Sequence, residues 1–83
     1  MDKRVGFVGI ILENREEKSA KVNEIISRFA DMIVARTGVP YKQRNCCVIT
    51  LVAGATTDKI GDLTGRLGAI QGVSVKSGLS KSR

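Results

Sequence analysis

Residues 48–78 read VITLVAGATTDKIGDLTGRLGAIQGVSVKSG, and they predict the fold because the chain carries this pattern of apolar and polar residues twice. Residues 8–38 align with it without a gap and read VGIILENREEKSAKVNEIISRFADMIVARTG. Both copies begin with apolar residues, and their ends match, Arg-Thr-Gly at 36–38 against Lys-Ser-Gly at 76–78. Each copy therefore predicts an apolar strand, a helix and a second strand that ends at glycine.

Apolar spacing predicts the two helices. In the first copy, the apolar residues recur with the 3.6-residue period of a helix, at Val22, Ile25, Ile26 and Phe29. Asn14, with Glu17 three residues later, predicts a capping box at the start of this helix. The second copy has a shorter apolar stripe, at Ile60, Leu63 and Leu67. Thr56 or Thr57 is the predicted N-cap of that second helix.

Apolar content separates the four strands into two kinds. Residues 5–12 and 46–53 are almost continuously apolar, which is typical of strands covered on both faces, whereas residues 32–38 and 72–78 include polar positions. The first and third strands are therefore predicted to be central, and the second and fourth to be edges. With a helix after strands one and three, this is an α+β fold, the ferredoxin-like βαββαβ sandwich, with a four-stranded antiparallel sheet and two helices on one face.

A hairpin is predicted between the second and third strands. Residues 38–45 read GVPYKQRN, in which Gly38 and Pro40 would supply the turn geometry. The two cysteines, Cys46 and Cys47, follow directly and are adjacent, so a disulfide between them would be strained. They are interpreted as buried free thiols, with thiol-based redox sensing as the alternative. A metal site is not predicted, because the chain has no histidine and the cysteines lack a spacer.

The predicted architecture leaves one face of the sheet without helices. Both central strands carry apolar residues on both of their faces, so the uncovered face should be apolar. Such a face on a monomer generally marks an interface, and a small domain gains stability by burying it. The prediction is a homo-oligomer, a dimer or a tetramer, in which the sheets pack face to face or extend edge to edge. Its predicted interface comprises Val8, Ile10, Leu12, Val48, Thr50 and Val52.

Length and charge limit the function classes. The 83 residues predict one domain, 1–83, with a core at about 4–80 and a basic tail at 81–83. The 14 Lys and Arg against 8 Asp and Glu give a net charge of +6, which suggests as an alternative function a basic module that binds nucleic acid or an acidic protein. Dispersed cations and few aromatic residues argue against nucleic acid. A charged start and short apolar stretches predict a cytoplasmic protein that does not cross a membrane.

Three pieces of the sequence, in this order, resemble the family of iron-only hydrogenase system regulators. They are GVPY at 38–41, LTGRLG at 63–68 and GVSVK at 72–76, within a similarity that runs over about residues 4–81. The resemblance implies an ACT-like regulatory domain, similar also to the C-terminal sensing domain of nickel-responsive repressors. It implies a small effector bound at a subunit interface and a signal passed to a separate regulatory protein partner. The histidine ligands of the nickel-sensing relatives are absent, so their metal site is not implied.

Candidate ligand-binding residues lie in two loops and the hairpin. Exposed amides at a helix start favour an anion, and the predicted residues there are Glu13, Asn14, Arg15, Thr56 and Thr57. The hairpin could clamp a carboxylate or phosphate, or contact a neighbouring subunit, through Gly38, Pro40, Tyr41 and Arg44. Simple capping by Asn14 and packing of Tyr41 are the alternatives. No nucleophile–base pair is recognisable, so the chain is predicted to be neither an enzyme nor a cofactor-binding protein.

Overall fold

The computed structural model describes residues 3–81. Its elements are β1 (Arg4–Glu13), α1 (Arg15–Arg28), β2 (Ile33–Tyr41), β3 (Cys46–Ala55), α2 (Thr57–Gly68) and β4 (Val73–Leu79). Short 3-10 turns at Ala30–Met32 and Lys42–Arg44 precede and follow β2. Of the predicted domain 1–83, residues 1, 2, 82 and 83, including two of the basic tail, lie outside the described residues. Neither α1 nor α2 is long and apolar enough to cross a membrane.

The sheet has the strand order β2-β3-β1-β4, and every neighbouring pair is antiparallel. The two almost wholly apolar strands, β1 and β3, are central, and the mixed strands are the edges. This strand order, with a helix after β1 and another after β3, confirms the predicted ferredoxin-like α+β fold.

The core lies between the sheet and the two helices. The apolar stripe of α2 is buried as its spacing predicts, and so is most of the stripe of α1, with Ile25 partly buried at the margin. From the sheet, β1 contributes Val8, Ile10 and Leu12, while β3 contributes Ile49, Leu51 and Ala55. These strand positions alternate, so each central strand sends one face into the core and turns the other face away from it.

The predicted hairpin turn is displaced along the chain. Gly38 and Pro40 were predicted to form the turn, but β2 continues through both of them to Tyr41. The chain instead reverses through the 3-10 turn Lys42–Arg44 and Asn45, which has the left-handed φ of 52°. Proline is tolerated in β2 because an edge strand has N–H groups without a partner strand, so the missing donor costs little there.

The predicted capping box at α1 is wrong, whereas the predicted cap at α2 is confirmed. Asn14 is the N-cap of α1, but its φ of 51° is left-handed and its side chain caps nothing. Its carbonyl oxygen accepts hydrogen bonds from the amides of Glu17 at 2.9 Å and Lys18 at 3.3 Å. At α2, the Thr56 hydroxyl accepts from the amide of Lys59 at 3.3 Å, as a side-chain N-cap does.

Candidate functional site

The face of the sheet opposite the helices is uncovered and largely apolar. β1 places Val5, Phe7 and Ile11 there, with 63%, 52% and 43% of their surface exposed. Their neighbours on β3 and β2 are Val48, Val52 and Val39, exposed by 39%, 37% and 54%. We call this surface, formed by these six residues, the open face.

The strand register corrects half of the predicted interface. Val8, Ile10 and Leu12 were assigned to it, but they are only 1%, 0% and 2% exposed and lie under the helices. Their partners across the ladder are Leu51, Ile49 and Cys47, which point to the same side. Val48, Thr50 and Val52 lie on the opposite, open side. Because β1 is apolar on both faces, the alternation of its side chains does not indicate which face meets the helices. The prediction of the interface residues on β1 is therefore wrong.

A polar row divides the open face into two apolar bands. Antiparallel pairing aligns Thr37, Thr50, Gly9 and Lys76 across all four strands. One band, on one side of this row, is Val39, Val48 and Ile11. The other is Val5, Phe7 and Val52, with the smaller Ala35 beside Val52 on β2. Lys76, on the edge strand β4, is exposed and gives the row a cation at one end. The open face therefore combines apolar area with one defined charge.

The other face of the sheet carries a cleft between α1 and the edge strand β2. The helices pack over the central strands, and every residue from 34 to 41 of β2 is exposed. The cleft has a volume of about 210 Å³ and is lined by Leu12, Ser19, Asn23, Arg36, Gly38, Pro40, Cys47 and Ile49. Its floor is thus made by the central strands, and its walls by α1 and β2.

Arg36 is the polar centre of this cleft. A terminal nitrogen of its guanidinium donates a hydrogen bond to Oδ1 of Asn23 on α1. Among the side chains that the structure describes, no carboxylate lies within 4.0 Å of this guanidinium. The arginines that form ion pairs there are Arg28 with Glu24, Arg44 with Glu13, and Arg66 with Asp62. Sequence reasoning missed Ser19 and Asn23. Their i, i+4 spacing beside the apolar stripe of α1 was the available signal, but exposed helix residues commonly look the same.

The predicted ligand-binding residues divide between opposite ends of the sheet. β1 and β3 are antiparallel, with Glu13 opposite Cys46 at one end and Arg4 opposite Ala55 at the other. The first end collects the β1–α1 loop and the hairpin, namely Glu13, Asn14, Gly38, Pro40, Tyr41 and Arg44. Thr56 and Thr57 stand at the far end, so the predicted residues do not form one site. Of Arg15, the backbone begins α1, and its side chain lies outside what is described.

Within the hairpin end, Arg44 and Glu13 approach each other. Nη2 of Arg44 and Oε2 of Glu13 are 4.0 Å apart, and the two side chains are 70% and 43% exposed. At such exposure the pair is worth little, and its carboxylate competes with any external anion for Arg44. Tyr41 pairs across the ladder with Cys46. Of the hairpin residues, Gly38 and Pro40 border the α1–β2 cleft instead.

The two cysteines are free thiols in different surroundings. Cys46 is buried, and Cys47 is half-buried against the core and lines the cleft. Within residues 3–81, no group of three or more Cys, Asp or Glu side chains is placed to hold a metal ion.

Comparison with known proteins identifies relatives of this architecture. Residues 4–77 match the model of the TM1266-like family, described as "Iron-only hydrogenase system regulator, putative". A solved structure of the uncharacterized protein TM1266 from Thermotoga maritima superimposes with a TM-score of 0.92 and 39% sequence identity. The match covers 96% of this chain and 100% of that one. No curated protein matches the sequence.

Proposed function

Because the chain belongs to the TM1266-like family of iron-only hydrogenase system regulators, we propose that it is a non-catalytic regulatory module of that system. In this proposal it works as a homo-oligomer, senses a small effector in the manner of ACT-like domains, and passes the signal to a separate protein partner. The family description supports the regulatory part of the proposal. The oligomer is supported by the open face of the sheet, and the effector by the resemblance to ACT-like domains.

The open face is the observation that carries the proposal. Six large apolar side chains lie together on it, each more than a third exposed. A cluster of exposed apolar side chains of this kind on a monomer usually marks a protein interface. A domain of 83 residues also buries a smaller fraction of its surface than a larger domain does, so covering this face would add to a thin stability margin.

A second copy of the same chain suits this face. Two sheets pack face to face about 10 Å apart with their side chains interdigitated, and an isologous dimer brings the same patch from both subunits together. The two apolar bands of one copy would meet those of the other. The polar row would run through the contact, where Thr37 and Thr50 offer hydroxyl groups and Lys76 remains at the edge.

Native mass spectrometry of the purified protein tests this function most simply, because it counts subunits and retains bound small molecules. We expect a dimer or tetramer and a reproducible additional mass for the effector. A bare monomer at micromolar concentration would contradict the oligomeric part.

The regulatory part has its own test. In a host that carries an iron-only hydrogenase and this gene, deletion of the gene should change hydrogenase activity per cell. The wild-type gene should restore it, and a variant with a charge on the open face, Val48→Lys, should not. Unchanged hydrogenase activity after deletion would contradict the proposed function without bearing on the oligomer.

A further inference from the structure

We propose that the α1–β2 cleft binds a small monocarboxylate with a short apolar chain, and that Arg36 holds its carboxylate. The proposal deepens the effector-sensing function and rests on it for its biological meaning. The binding itself depends only on one chain, because α1, β1, β2 and β3 of a single chain line the cleft. Four features of the cleft lead to this ligand: the fixed cation, the apolar lining, the lack of acidic residues and the volume.

The cation is held in place before any ligand arrives. The hydrogen bond from Arg36 to Asn23 ties the guanidinium of the edge strand to α1. A guanidinium has five N–H donors, so one such bond leaves donors for a carboxylate, and a carboxylate can accept two of them side by side. Among the described residues no carboxylate satisfies Arg36, unlike Arg28, Arg44 and Arg66. A fixed cation with a neutral partner but no carboxylate among the described residues favours an external anion.

The rest of the lining selects what the anion carries. Pro40, an exposed residue of β2, supplies apolar surface in the cleft that Arg36 lines, and Leu12 and Ile49, which are 2% and 4% exposed, form the apolar floor. Placing a short hydrocarbon chain against this lining is favourable, because it removes CH₂ groups from water. The ligand is therefore a carboxylate with an apolar tail, in preference to a bare inorganic anion.

The lining also disfavours an α-amino acid. Among the described residues that line the cleft, Arg36 carries the only charge, and none is acidic. The ammonium group of an amino acid would lie near the guanidinium and lose part of its hydration without gaining a carboxylate partner, which is costly. A monocarboxylate without the amino group avoids this cost.

Gly38 keeps the cleft open and sets its size. A Cβ at position 38 would lie 4.0 Å from Ile49 Cγ1, so a side chain would fit there and would occupy the cleft. The volume of about 210 Å³ is below the roughly 300–1,000 Å³ of sites for drug-sized ligands. The ligand is accordingly a few carbons long.

Three related probes test the assignment: isovalerate, its neutral amide isovaleramide, and valine, which adds an α-amino group to the same skeleton. Amide chemical shifts of the ¹⁵N-labelled full chain are followed during titration with each. We expect isovalerate to give saturable shifts largest at Asn23, Arg36, Gly38 and Cys47. Isovaleramide and valine should bind at least about tenfold more weakly, since a charge-assisted hydrogen bond or an uncompensated charge contributes that much.

Two pairs of variants separate the cleft from general charge and general stability. Arg36→Gln should weaken isovalerate binding by about tenfold or more, whereas Lys76→Gln, the same charge change at the corresponding position of the repeat, should change it less than about twofold. Gly38→Val should abolish binding by filling the cleft while the dispersed spectrum of a folded chain persists. Gly54→Val, a glycine with nothing within 4 Å of its Cβ position, should bind normally.

Either of two results would overturn the assignment. One is the absence of saturable shifts at the cleft with isovalerate up to high millimolar concentration in a folded sample. The other is an equal loss of binding in Arg36→Gln and Lys76→Gln, which would indicate attraction to net charge only. If the chain forms an oligomer but isovalerate does not bind, only the assignment of the cleft is contradicted. If isovalerate binds to a monomer as expected, only the proposed oligomer is contradicted.

Discussion

The ring of Phe7 on β1 lies against the backbone of Gly78 on the neighbouring edge strand, so closely that a Cβ at position 78 would stand 2.5 Å from Phe7 Cε2. The two residues are directly paired in the ladder, and both are on the open face. An aromatic side chain that covers a glycine across a strand pair supplies the packing that the glycine lacks. The edge strand β4 is thereby fastened to the centre of the sheet, and the ring becomes part of the apolar surface.

Alanine at position 78 should displace the Phe7 ring, at a cost of about 1 kcal/mol in the free energy of unfolding, because an exposed ring can turn aside. Alanine at position 6 should cost about 3 kcal/mol or more, because its Cβ would overlap the backbone carbonyl oxygen of Gly78, which cannot move freely. Urea unfolding measures both. Gly54→Ala, with open space around the new Cβ, is the matched control and should be neutral or slightly stabilising. Equal losses of stability in the variants at positions 6 and 78 would contradict the close approach of Gly6 to the carbonyl oxygen of Gly78.

Because Asn14 has a left-handed backbone, substitutions at this position should change stability in the opposite order from that expected for a side-chain cap. Asn14→Gly should keep the stability of the protein, because glycine adopts a φ of 51° without strain. Asn14→Thr keeps a capping hydroxyl but places a β-branched residue in the left-handed region, so it should lose about 1–2 kcal/mol. Thermal and urea unfolding compare the two variants. If Thr were tolerated and Gly were not, capping would be the role of this position.

Hydrophobic patterns predict the architecture of this chain well because they report burial. The continuous apolar runs identify β1 and β3 as central, and the 3.6-residue stripes identify the core faces of both helices. The same patterns do not predict the structure where two different arrangements of a segment would give the same hydrophobic pattern. A strand that is apolar on both faces does not reveal which face meets the helices, so Val8 and Phe7 could not be assigned to their sides.

Local turn chemistry fails for a related reason. Gly38 and Pro40 are typical turn residues, but an edge strand also accommodates them, and only the sheet topology decides between the two. The α1–β2 cleft could not be predicted from the sequence, because Asn23 and Arg36 look like ordinary surface residues there and only the fold brings them together. Burial patterns carry no information about such polar contacts.

A pair of valines on one strand tests the assignment of its two faces. Val8→Ala removes a fully buried side chain and should lower the free energy of unfolding by about 2 kcal/mol, as cavities in a core do. Val5→Ala, at 63% exposure on the open side, should cost less than about 1 kcal/mol in the monomer. Unfolding is measured at a protein concentration low enough to give monomers. A larger loss of stability in Val5→Ala than in Val8→Ala would mean that Val5, and not Val8, faces the helices.

Thiol reactivity should distinguish the two neighbouring cysteines. Cys46 is buried and Cys47 lies half-buried beside the cleft, so iodoacetamide should label Cys47 first under native conditions. Fragmentation mass spectrometry locates the label, and Cys47→Ser should remove the fast phase. Isovalerate in the cleft should slow that phase. Preferential labelling of Cys46 would contradict the burial described for the pair.

The most direct measurement for the open face as a self-association surface is sedimentation velocity of three proteins over a range of concentrations. The wild type is compared with Val48→Lys, in the centre of the open face, and with Val34→Lys, a residue 73% exposed at the irregular start of β2. We expect the wild type and Val34→Lys to sediment as the same oligomer and Val48→Lys as a folded monomer. A wild type that remains monomeric at every concentration, or a Val48→Lys variant that assembles as the wild type does, would contradict the claim.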